Sequence, residues 1–157
     1  MKTIEYRTVD KSTWGAGPWQ NEPDKKQWLD EETGYPCLIV RNPVGALCGY
    51  VGVSRAHPAF EQDYNDVAAD VHGDLTFSGF CHEPEGDDHS QGICHLTEDG
   101  ERVWWLGFDC AHAFDLCPSM AAYMRFMELS AYGAYRDLSY VASEVQSLAR
   151  QLKDAAA

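Results

Sequence analysis

The sequence contains no long apolar run: nowhere in its 157 residues does it approach the roughly eighteen consecutive hydrophobic side chains of a membrane span. Lys2 has no hydrophobic stretch behind it, so the opening residues do not read as a secretory leader. The expectation is a protein that stays in the cytoplasm where it is made. Internal repeats and Pro/Gly/Ser-rich linkers are also lacking, and residues 1–157 read as one domain. The six cysteines, Cys37, Cys48, Cys81, Cys94, Cys110 and Cys117, include no Cys-x-x-Cys pair. That excludes the zinc-ribbon and dithiol redox signatures, and in a reducing compartment the thiols are expected to be buried or to ligate metal.

Positive charge is missing from the middle of the chain. Between Ala56 and Glu101 there is no Lys or Arg, against twelve acids: Glu61, Asp63, Asp66, Asp70, Asp74, Glu83, Glu85, Asp87, Asp88, Glu98, Asp99 and Glu101. This segment supplies nearly all of the net charge of −13, and the rest of the chain is close to balanced. A field of one sign repels phosphates and attracts cations and basic partners, which disfavours direct nucleic-acid binding. The same run also has a plainer use as a solvated face that maintains solubility. Its acids do not follow the spacing of a calcium loop.

What is present is a chain with 45% hydrophobic and 12% aromatic residues, enough to bury a core. Thr3–Val9 reads as a short strand and Pro23–Glu32 as a short helix, with Pro at its start and Gly34 as its stop. Cys37–Val40 and Leu47–Val53 read as strands joined by a turn at Asn42-Pro-Val-Gly45. Val71–Phe77 and Arg102–Phe108 read as two more, with His57–Val67 irregular and Cys81–Glu101 a long polar loop. Met120–Leu129 reads as a helix. From Leu138 to Leu152 apolar residues recur at three and four, with Asp137 at the start and Lys153 at the end of a longer one. The order predicts an α+β fold: a mainly antiparallel sheet packed against a long C-terminal helix and one or two shorter helices.

Chemistry-bearing residues gather in three places. Asp109, Cys110, His112 and Asp115 follow directly on the Trp104-Trp105 strand, where a sheet edge presents polar groups. Asp109 and His112 orient each other for proton transfer or ligand binding; alternatively Asp109 caps a turn, His112 meets a carbonyl and Cys110 is core. His72, followed by Gly73, lies in the second place and joins the first if the two segments are neighbours. His72, Gly73, Trp105, Asp109, His112 and Asp115 are therefore the candidate ligand-binding set. His72, Asp109, His112 and Asp115 are the candidates for catalysis by metal-activated water. The third group is a Cys/His supply (Cys81, His82, His89, Cys94, His95, Cys110, His112) from which a zinc site is conceivable. Cys81, Cys94, His95, Cys110 and His112 are its candidate ligands, although the spacing matches no known finger. The Met-rich 120–129 segment reads as core or as an interaction face.

Five segments together resemble a family of hypothetical proteins associated with bacteriophages and prophages. They are Gly34-Tyr-Pro-Cys-Leu-Ile-Val-Arg41, Cys48-Gly-Tyr-Val-Gly-Val53, Val71-His-Gly-Asp-Leu-Thr-Phe77, Trp104-Trp-Leu-Gly-Phe-Asp-Cys-Ala-His112 and Tyr135-Arg-Asp-Leu-Ser-Tyr-Val141. The resemblance spans most of Gly34 to Leu152. It departs at Asp74 and Phe114, where that family tends to have Gly, and the Met-rich stretch is an extension. The resemblance implies a small protein acting in the cytoplasm of a bacterial host by binding a host protein or a small molecule, with a counter-defence or host-modulating role. The alternative is a small metal-dependent hydrolase using the His/Asp cluster.

Overall fold

In a computed structural model the described residues are 3–81, 92–94, 100–129 and 133–157. The sheet grows from its most apolar hairpin. Strands β3 (Pro36–Arg41) and β4 (Leu47–Val53) pair antiparallel from Cys37↔Val51 to Arg41↔Leu47. The Asn42 carboxamide fixes the turn by accepting from the N–H groups of Val44 and Ala46. Strands β1 (Ile4–Tyr6), β2 (Lys25–Leu29), β5 (Phe77–Gly79) and β6 (Trp104–Asp109) complete a six-stranded antiparallel sheet of order β1-β2-β3-β4-β6-β5. Two helices follow, α1 (Pro118–Phe126) and α2 (Leu138–Ala155).

Alternation along the strands divides the core. Cys37, Ile39, Leu47, Val51, Leu106 and Phe108 face α2 and pack on its Val141, Val145, Leu148, Ala149 and Leu152 stripe. Leu38, Cys48, Tyr50, Val103 and Trp105 form a smaller cluster on the opposite face. Asp137 caps α2, its carboxylate accepting from the Tyr140 N–H. Gly49 sets how closely α2 approaches the sheet, because a Cβ there would lie 2.6 Å from Val145 Cγ2 and against the Phe108 ring. Gly49→Ala is therefore expected to destabilise the protein by about 1–3 kcal/mol through overpacking, read as a drop in thermal melting temperature.

Three expectations are corrected. Pro23–Glu32 is not a helix: its centre is β2, hydrogen-bonded between β1 and β3. The pull comes from tertiary partners that helical propensity does not register. Lys25 is buried and donates to the Cys94 carbonyl at 2.6 Å, while the neighbouring Asp24 carboxylate accepts from the Thr8 and Val9 N–H groups. Val71–Phe77 is not a continuous strand either. Gly73 (φ 66°) and Asp74 (φ 65°) are both left-handed, so the chain turns and β5 begins only at Phe77. Finally, Cys81 and Cys94 are joined in a disulfide with their Cα atoms 4.7 Å apart, so these two are neither free thiols nor zinc ligands. Among the described residues Cys37, Cys48, Cys110 and Cys117 remain free. His82, His89, His95 and most of the expected 81–101 loop lie outside the described residues.

Candidate functional site

The chain leaving β6 doubles back on itself, with the Asp115 N–H bonded to the His112 carbonyl. It is then held by a short parallel bridge between Asp115 and Ala134. This places the Asp115 side chain in the interior, with no exposed surface. The left-handed turn at Gly73-Asp74 delivers His72 to the same point. Because Gly73 has no Cβ, the His112 ring lies directly over its Cα; a methyl group there would collide with the imidazole.

Asp115 is the hub of the cluster. His72 Nε2 lies 2.9 Å from both of its carboxylate oxygens. The backbone N–H of His112 donates to Oδ2 at 3.0 Å, the His112 ring Nδ1 lies 3.0 Å from the same oxygen, and Arg136 Nε donates to Oδ1 at 2.9 Å. Burial works against the ionised carboxyl. The His72 ring, the His112 N–H, the Arg136 guanidinium and the His112 ring together outweigh it and hold the Asp115 pKa below its ordinary value. On the far side of His72, Nδ1 lies 2.8 Å from the Tyr140 hydroxyl. The phenol's pKa is raised by burial and by the Glu144 carboxylate one turn along α2. The two imidazole centroids are 5.5 Å apart, and Phe114 stacks flat on His112.

The other sequence candidates sit differently. Asp109 is 3.8 Å from His112 Nδ1, farther than Asp115; its carboxylate instead accepts from the Thr76 hydroxyl and the Ala111 N–H. Cys110 is buried, and its thiol pKa is raised by that burial and by the Asp115 charge. Trp105 is fully buried on the opposite face of the sheet. Among the described residues, the His, Cys, Asp or Glu group whose ligating atoms could share one cation is His72, His112 and Asp115, all within 4.8 Å of one another.

Beside this cluster lies an open hollow of about 400 Å³, lined by His112, Asp115, Cys117, Met120, Ala121 and Met124 among others. Burial pushes the Cys117 thiol pKa up, and the Asp115 and Asp109 charges add to it, so Cys117 is not an activated nucleophile. Helix α1 forms the outer wall. It rests on the body through Pro118, Ala121 and Arg125, whose guanidinium donates to the Trp14 carbonyl at 2.6 Å. Met120, Tyr123, Met124 and Met127 line up at helical spacing on another side, and Met120, Tyr123 and Met127 are about half exposed. Phe126 is 82% exposed.

Sequence reading did not find a second polar centre in which Asp24 joins Lys11 and Arg41, each at 2.7 Å. Glu22 accepts from the Tyr135 hydroxyl and the Leu138 N–H, while Arg41 also donates to the carbonyls of Gly45 and Pro23. These residues are scattered along the chain and share no spacing that could have announced them. No family model, curated protein or solved structure matches the chain.

Proposed function

We propose that the protein acts by binding, docking a positively charged, amphipathic segment of a partner protein along the outer face of α1. The observation that carries this reading is the apolar set Met120, Tyr123 and Met127, about half exposed, with the more exposed Phe126 beside it, on a helix held from its other side. Grouped exposed apolar side chains of this size mark interaction surfaces, and methionine adapts its shape to a partner. The net charge of −13 makes a basic partner the complementary one and speeds its encounter. In the setting that the sequence resemblance implies, the partner is a protein of a bacterial host.

A test uses a labelled helical peptide of Leu and Lys at i, i+3, i+4 spacing, with a control in which Ser replaces Leu. Fluorescence anisotropy should show binding of the Leu peptide, weakened at least about tenfold by Met120→Glu with Met127→Glu, and only weak binding of the control. Equal binding by the double variant would reduce the interaction to charge alone and remove the reading. A dimer in sedimentation that the same substitutions dissolve would assign the face to a second copy of this chain instead.

A further inference from the structure

We infer that His72, His112 and Asp115 form a site for one divalent transition-metal ion of the zinc type. The inference is independent of the α1 surface. It rests first on convergence: His72 Nε2 and His112 Nδ1 approach the same carboxylate at 2.9 and 3.0 Å, so three ligating atoms surround a common point. Two imidazole nitrogens and one carboxylate oxygen suit zinc and its neighbours, not calcium or magnesium, which take oxygen ligands. Three protein ligands leave a coordination position for water or a bound ligand. It falls on the His112 side, since that side chain is 24% exposed while His72 and Asp115 are enclosed.

The surroundings are those a metal site requires. Ligating histidines have the second ring nitrogen fixed by a partner, and ligating carboxylates are themselves hydrogen-bonded. Here the Tyr140 hydroxyl fixes His72 Nδ1, Arg136 Nε donates to Asp115 Oδ1, and the His112 N–H donates to Oδ2. A cation on His72 Nε2 requires that ring's proton on Nδ1, where the Tyr140 oxygen 2.8 Å away accepts it. A cation on His112 Nδ1 likewise requires that ring's proton on Nε2. Gly73 permits the arrangement by leaving room for the His112 ring.

The experiment takes untagged full-length protein stripped with chelator and titrates it with Co²⁺, followed by visible absorption, and with Zn²⁺, followed by calorimetry. One equivalent is expected, with the intense bands of low-coordinate Co²⁺. His112→Ala should weaken binding about a hundredfold or more and Tyr140→Phe about tenfold, both with a native circular dichroism spectrum. No uptake by the wild type, or uptake unchanged in His112→Ala, overturns the assignment. If His112→Ala does not fold, Tyr140→Phe decides alone, and unchanged affinity there overturns it equally.

Discussion

Asp24→Ala is expected to lower the free energy of unfolding by about 3–5 kcal/mol. Asp24 is buried, and its carboxylate is the common partner of Lys11, Arg41 and the backbone N–H groups of Thr8 and Val9. Arg41 has no side-chain surface exposed and Lys11 has 8%. Removing the acid leaves Lys11 with the Glu22 carbonyl and Arg41 with the more distant Glu22 carboxylate and two carbonyls, and a buried cation stripped of its nearest counter-charge is costly to the fold. The Thr8 and Val9 N–H groups, which follow β1, lose their acceptor at the same stroke. Urea denaturation of the variant at neutral pH gives the number, with an unchanged m-value confirming that the same two states are compared. A loss below about 1 kcal/mol would mean that the centre behaves like a solvated surface ion pair.

Asp115→Asn should cost about 2–4 kcal/mol, from a different cause. The amide keeps the shape of the side chain but exchanges one acceptor oxygen for a donor, so an N–H₂ group faces Arg136 or the N–H groups of His112. The pH dependence carries the diagnosis. The Asp115 pKa is lower in the folded protein than the ordinary aspartate value of about 3.8, so its ionisation stabilises the fold above that value. The contribution is then lost as pH falls through the depressed folded pKa. The stability gap between wild type and Asp115→Asn should be full near neutrality and shrink in acid below about pH 4. A gap that does not change with pH would show that the carboxylate charge is not what the four donors hold.

Local pattern and long-range contact separate cleanly in this chain. Helix α2 was legible because its apolar period, its Asp137 cap and its terminal lysine all agree. The β3–β4 hairpin was legible because Asn42-Pro-Val-Gly45 carries its own turn chemistry. The segment containing β2 misled, since Pro23 with early acids is a helix start by local rules. The pairing with β1 and β3 and the burial of Lys25 come from residues far along the chain. His72 and the 109–115 segment do come together, although the sequence reads them as two neighbouring strands. The meeting is made by a left-handed turn, and Asp115, not Asp109, is the acid that both imidazoles face. Arg136, just before α2, Tyr140, in its first turn, and Gly73, next to His72, complete that centre. Gly73 is marked in the sequence as a glycine next to a histidine, whereas Arg136 and Tyr140 lie in one of the segments that carry the resemblance but have no spacing that announces their contacts.

The strand order carries a kinetic consequence. Val53 pairs with Trp104 and Cys48 with Asp109, so residues 54–103 must be looped out before β4 and β6 can meet. The β3–β4 hairpin and α2 need only nearby partners and can form early. The central seam waits on a closure whose entropy is lost before any of its hydrogen bonds or its Leu106 and Phe108 packing is gained. Folding should thus be slow for a chain of this length, with β6 joining late. Until it does, the inner edge of β4 stands open as the place where two unfinished molecules could pair with each other.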